Sequence, residues 1–177
     1  MDVPEMTTAT APGEFHPALG IDYGDARIGV AATDPLGILA HPVETIDQRS
    51  TDAMERISAL VAARRVRTVV VGLPLRMDGS EGDSARKVHD FARRLGKRLG
   101  EISVVMQDET LSTAAAAAKL HEAGRNARQQ KSVIDQAAAV EILRSWMDSL
   151  PGAESGLTSE PDPEFAAPPS PRRNRRR

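Results

Sequence analysis

The chain of 177 residues has no cysteine, one tryptophan, one tyrosine and three phenylalanines. Without cysteine there are no disulfides and no thiolate metal sites, so a bound metal would have to rest on carboxylates or imidazoles. So few aromatic residues argue against a nucleic-acid surface built from stacking platforms. No unbroken apolar run approaches the roughly 20 residues needed to cross a bilayer. The opening stretch MDVPEMTTATAPGEFHP has neither a basic lead nor an apolar block, which predicts a cytoplasmic chain that does not engage a membrane. Net charge is also scarce, at a formal −2. Residues 1–18 hold three acids and no base, and residues 151–177 hold four acids and five arginines, leaving 18 acids and 18 bases between them. A neutral centre does not advertise nucleic-acid binding in the way a strongly basic domain does.

What is present reads as one α/β domain. Residues 1–17 are rich in Pro, Thr and Ala without periodicity, and residues 151–177 run through repeated prolines to RRNRRR. Both compositions predict disordered segments flanking a folded unit at 18–150. An apolar run, Ala18 to Ile21, meets the turn signal Asp22-Tyr23-Gly24-Asp25 and continues as a second strand, Arg27 to Thr33. A third extended piece, Ile38 to Ile46, carries His41-Pro42, which suits an edge or a bulge. The period then changes. Ser50 or Thr51 is placed to cap a helix burying Met54, Ile57, Leu60 and Val61, and the β-branched run Val66 to Val71 reads as a strand buried on both faces. A second helix with Val88, Phe91, Leu95 and Leu99 inward precedes a strand from Ile102 to Met106. An alanine-rich helix over Thr113 to Glu122 and a last helix from about Val133 to Ser149, burying Val140, Leu143, Met147 and Leu150, complete the pattern. A hairpin meander followed by right-handed crossovers predicts a ribonuclease H-like fold, a mixed five-stranded sheet flanked by helices.

The chemistry-bearing residues fall where such sheets place them. Asp22 ends the first strand, and open α/β sheets present functional groups at the carboxyl ends of their strands. Glu109 stands after the strand ending at Met106, and Asp135 lies in the first turn expected of the last helix. Three carboxylates that face one another repel unless a cation neutralises them, and an all-oxygen set favours Mg²⁺ or Mn²⁺. The reaction such a cluster serves is attack of water on a phosphodiester, with two ions about 4 Å apart activating the water and stabilising the leaving oxygen. Plainer roles compete. Asp22 suits an Asx turn, Glu109 a solvated loop before a helix capped by Ser112 or Thr113, and Ser132-Val133-Ile134-Asp135 matches a capping box. Asp108 competes with Glu109, since strand alternation lets only one of them point at the cluster. Arg27, Arg76 and Lys131 are candidate phosphate contacts, although arginines of this kind are more often solvated. The loop from Gly72 to Ser80 lacks the Gly-Lys-Ser/Thr of a Walker loop. His16, His41, His89 and His121 show no ligand spacing.

Four segments, LGIDYGDARIGVAATD, VVVGLPLRMDGSEG, QDETLSTAAA and KSVIDQAAAVEIL, occur in the order found in the YqgF, or RuvX, proteins. Over about Leu19 to Met147 the chain resembles this family of Holliday junction resolvase-like proteins and precursor ribosomal RNA nucleases. The resemblance implies a ribonuclease H-like fold, a divalent metal, catalytic acids at Asp22, Glu109 and Asp135, and precursor small-subunit rRNA as substrate. One departure is Thr110, where the family commonly has arginine.

Three rivals remain. Resolution of four-way DNA junctions needs two symmetric cuts and hence a two-fold dimer, whereas an RNA-trimming enzyme works as a monomer or a homodimer. An actin-like nucleotide binder is suggested by Asp22-Tyr23-Gly24, but such proteins clamp nucleotide between two domains. A non-catalytic RNA-associated adaptor fits the neutral centre.

Overall fold

The computed structural model describes residues 16–110 and 127–151. In chain order these form β1 (Ala18–Tyr23), β2 (Arg27–Thr33), β3 (Ala40–Asp47), α1 (Ala53–Arg64), β4 (Thr68–Leu75), α2 (Asp83–Leu99), β5 (Ser103–Thr110) and α3 (Ala127–Asp148). The β1–β2 turn closes with the Gly24 amide donating to the Arg27 carbonyl at 3.0 Å. The strands make one sheet in the order β3-β2-β1-β4-β5. The first three pair antiparallel, while β1–β4 and β4–β5 pair parallel. This is the ribonuclease H-like arrangement expected from the hairpin and crossover pattern. The edge strand β3 carries an irregularity opposite Val30 and Ala31, next to His41-Pro42, where a proline is tolerated.

Alternation divides the sheet into two faces. On one, Leu19, Ile21, Ile28, Val30, Val69 and Val71 pack with Ile57 of α1 and with Val88, Phe91 and Leu95 of α2. On the other, Ala18, Ala31 and Val70 meet Ala139, Val140, Ile142 and Leu143 of α3. Thr68 to Leu73 of β4 are buried throughout, as a strand covered on both faces must be. Burying a large apolar side chain contributes about 1.5–3 kcal/mol, so the face with Phe91 and the leucines carries most of the cohesion.

Several boundaries differ from those expected. The cap of α1 is Asp52, whose Oδ1 accepts from the Met54 and Glu55 amides at 2.9 and 3.1 Å. Ser50 and Thr51 instead belong to a turn in which their amides donate to the Asp47 carbonyl. β5 extends to Thr110, so Glu109 lies within the strand and not after it. Helix α3 starts at Ala127, before the expected Val133. Leu150 lies past the end of this helix and is exposed, not buried. The alanine-rich helix expected over Thr113 to Glu122 lies outside the described residues, as do residues 1–15 and 152–177 of the two tails.

Candidate active site

Ile21 and Tyr23 belong to the α1–α2 side of the sheet, so the alternation of β1 turns Asp22 toward α3. Its antiparallel partner is Gly29. A Cβ at Gly29 would collide with the backbone carbonyl of Asp135, so a glycine here is what lets α3 lie directly on the sheet. Asp22 and Asp135 thus flank the same glycine, one from the neighbouring strand and one from the helix above.

Glu109 reaches this face from β5. Parallel pairing matches Ile21 with Val71 and Gly72 with Gln107, and the next step of the β1–β4 register sets Asp22 beside Gly72. A Cβ at Gly72 would stand 2.8 Å from Oε2 of Glu109 and 2.5 Å from Cδ1 of Ile142. The Glu109 carboxylate therefore lies over Gly72, under α3, on the side of the sheet that Asp22 faces. Strand alternation sends Asp108 to the other side, where it is exposed, which resolves the competition between these two acids in favour of Glu109.

Asp135 is held differently from its expected place. It stands about two turns inside α3, so it is not a first-turn acid, and Ser132 does not cap the helix. The Ser132 hydroxyl donates to Oγ1 of Thr45 at 3.0 Å, the Thr45 hydroxyl donates to the Ser132 carbonyl at 3.0 Å, and the Gln136 amide donates to Oγ1 of Thr45 at 3.3 Å. Thr45 pairs with Gly29 in the sheet. These bonds fix the register of α3 on β3 and so set the height of Asp135. The Arg27 Nε donates to Oδ2 of Asp135 at 2.8 Å, with both side chains partly buried.

The three acids thus share one face of one sheet end, with the charge of Asp135 neutralised by the Arg27 guanidinium. Among the described residues no group of three or more His, Asp or Glu side chains is gathered closely enough to hold an ion. The donor chemistry nevertheless suits a hard divalent cation. Asp22 and Glu109 are partly buried all-oxygen donors on one face beside Gly72, whose missing side chain is what lets the Glu109 carboxylate and Ile142 lie against the strand.

The basic candidates separate. Arg27 meets an acid of the site. Lys131 is exposed one turn before Asp135, on the same side of α3. Arg76 is exposed in the turn after β4, and its guanidinium lies against Gly82, 3.3 Å from where a Cβ would stand. In that turn the Ser80 hydroxyl and amide donate to Asp78 at 2.6 and 2.9 Å and hold its carboxyl below the usual range. Asp78-Gly79 is therefore a turn, with Gly79 at φ +80°. His89 pairs with Glu81 on the surface. Gly29, Gly72 and Thr45 are site-shaping residues that sequence reasoning missed. The one available signal was glycine inside a strand, which marks close backbone approach.

A family model described as RuvX: Holliday junction resolvase matches residues 16–149. Among curated relatives, a protein of Mycobacteroides abscessus is 44% identical over 147 residues, covering 80% of this chain and 89% of its own length. One of Rhodococcus jostii is 47% identical over 150 residues, with 82% and 84% covered. One of Acetivibrio thermocellus is 46% identical over 133 residues, with 74% and 94% covered. All three are provisionally named pre-16S rRNA nuclease. Among solved structures, T. thermophilus RuvC in complex with a Holliday junction substrate superposes with a TM-score of 0.44 at 17% identity, covering 73% of this chain and 91% of that one.

Proposed function

This chain belongs to the RuvX family, and from that premise we propose that it is a hydrolase of the nuclease class that trims the 5′ end of precursor 16S rRNA in the cytoplasm. The observation that carries the reading is the sharing of one sheet face by Asp22 and Glu109, beside Gly72 and with Asp135 on the helix above. Asp22 and Glu109 would hold Mg²⁺ or Mn²⁺, with Asp135 as the third ligand. When bound, the metal supplies an activated water and stabilises the leaving oxygen. The chain's own part is positional. Gly29 and Gly72 bring α3 down to the sheet, the Thr45–Ser132–Gln136 bonds fix its register, and Arg27 orients the Asp135 carboxylate. Lys131 and Arg76 stand on either side of this sheet end as phosphate contacts, which fix a substrate's register without reading its bases. No helix among the described residues is long and apolar enough to cross a membrane.

A second reading, cleavage of four-way DNA junctions, is favoured by the description of the matching family model. One assay separates the two. The protein and its Asp22→Asn variant are incubated with precursor rRNA and with a synthetic four-way junction, each with Mg²⁺ or with EDTA. Rate losses from removing one member of a reactive constellation commonly exceed about 100-fold, and a loss of that order is expected for the variant on RNA. Cleavage that survives EDTA or the substitution would remove these acids from the chemistry. Paired symmetric cuts in the junction, with the RNA intact, would replace the first reading by the second.

A further inference from the structure

The basic charge of this neutral domain is concentrated on one helix. α2 carries six bases, Arg86, Lys87, Arg93, Arg94, Lys97 and Arg98, against two acids, Asp83 and Asp90. The rest of residues 19–150 has 12 bases and 16 acids. The apolar side of α2 is committed to the core through Ala85, Val88, Phe91, Ala92 and Leu95, so all six bases stand on its exposed side. Three of them are paired on the surface: Lys87 with Asp25 at 2.6 Å, Arg93 with Asp90 at 2.7 Å, and Arg86 with Asp83 at 3.4 Å. Exposed pairs of this sort are worth at most about 1 kcal/mol and exchange readily for a stronger anion. Arg94, Lys97 and Arg98 have no acidic partner among the described residues. Lys97 and Arg98 also favour the carboxyl end of the helix dipole, but that does not explain Arg94, which lies farther in.

The stripe begins at the sheet end that carries the candidate active site. Helix α2 follows β4 and therefore begins at the sheet end where Asp22 and Glu109 stand, then runs back along the opposite face. Its bridge from Lys87 to Asp25 ties it to the turn directly after Asp22 and Tyr23. A recess of about 340 Å³ beside Tyr23 is lined by Lys87, Asp90, Arg93 and Arg94. Lys87, Arg94 and Arg98 descend one side of the helix at steps of seven and four residues, about 10 and 6 Å.

We propose that the exposed face of α2 is an RNA phosphate-backbone track that grips the substrate strand after it leaves the acids and crosses the Tyr23-Gly24-Asp25 turn. The proposal rests on the nuclease reading above. It assigns the sequence-independent part of substrate affinity to Arg94, Lys97 and Arg98, with Lys87 at the entrance. Binding through phosphates releases counterions, so each contact contributes about 0.7 to the slope of log affinity against log salt for a single strand.

The test measures affinity of the full-length Asp22→Asn protein for a labelled single-stranded RNA of about 30 nucleotides across a salt series. Adding Arg94→Gln, Lys97→Gln and Arg98→Gln is expected to weaken binding at least tenfold and to lower the salt slope by about two, while the variant keeps the circular dichroism spectrum of the folded protein. Arg64→Gln with Arg67→Gln, at the far end of the sheet, is expected to leave affinity, slope and cleavage unchanged. Equal affinity and slope in the α2 variant would overturn the proposal and leave this face to an acidic protein partner. If the unsubstituted protein fails to cleave RNA while the α2 variant still loses binding, the nuclease reading falls and the track stands.

Discussion

The two faces of the sheet are built from different materials. Toward α1 and α2 the strands present leucine, isoleucine and valine, and Phe91 fills the space between helix and sheet with Tyr23 stacked at 4.6 Å between ring centroids. Toward α3 they present mostly small residues, Ala18, Gly20, Gly29, Ala31 and Gly72, with Val70 and the partly buried Val105 as the larger ones. The bulky face provides cohesion and keeps its helices at side-chain distance. The small face brings a helix backbone onto the strands, and it is this face that carries the acids. A carboxylate on α3 can stand near carboxylates on strands only if nothing larger than hydrogen separates the elements at Gly29 and Gly72. The bulk of the core and the proposed reactive acids thus lie on opposite sides of one sheet.

The contrast can be broken most severely on the bulky side. Phe91→Ala should cost about 3–5 kcal/mol in urea denaturation, with the cleavage rate of the folded fraction retained. On the small side, addition should harm as removal does on the other. Gly29→Ala adds one methyl against the Asp135 carbonyl, and should cost about 1–3 kcal/mol while also lowering cleavage, because the helix that carries Asp135 must shift. Arg27→Gln removes the guanidinium from Asp135, and a partly buried pair of this geometry should cost about 1 kcal/mol. A double-mutant cycle with Asp135→Asn measures that coupling apart from the individual effects.

The smallest effect sits at the exposed edge. Both Glu44 oxygens accept from Arg56 at 2.7 Å, and this bidentate bond holds the Glu44 carboxyl below its ordinary value of 4.5. A carboxylate whose pKa is lower folded than unfolded contributes stability above the unfolded value and loses it as pH falls through the folded one. Glu44→Gln should therefore cost a few tenths of a kcal/mol near pH 7, and the difference should fade as the pH drops below about 4.5 in paired denaturation curves.

Much of the sheet was legible because its signals are local. Alternation in Arg27 to Thr33, the β-branched run before Gly72 and the Asp22-Tyr23-Gly24 turn each report on neighbours a few residues away, and the right-handed crossover rule supplied the strand order. The features that were missed depend on contacts distant in sequence. Ser132 followed by Asp135 looks like a capping box, but the partner of Ser132 is Thr45, 87 residues earlier, and the helix continues upstream of both. Arg27 looked like a free phosphate contact, yet its partner Asp135 is 108 residues later. The preference for Glu109 over Asp108 follows from counting alternation along β5, once the strand is known to run to Thr110. The roles of Gly29 and Gly72 become visible only when α3 is seen crossing them.

The proposed chemistry depends most directly on Asp22 and Glu109 sharing a divalent ion beside Gly72. Thermal melting of the unaltered protein and of the Asp22→Asn/Glu109→Gln variant in rising Mg²⁺ tests this without any substrate. A ligand at 100 times its Kd stabilises the native state by about 2.7 kcal/mol, which for a chain of this size raises Tm by several degrees. That rise is expected in the unaltered protein and is lost in the variant. An equal rise in both would contradict a metal site shared by these two acids.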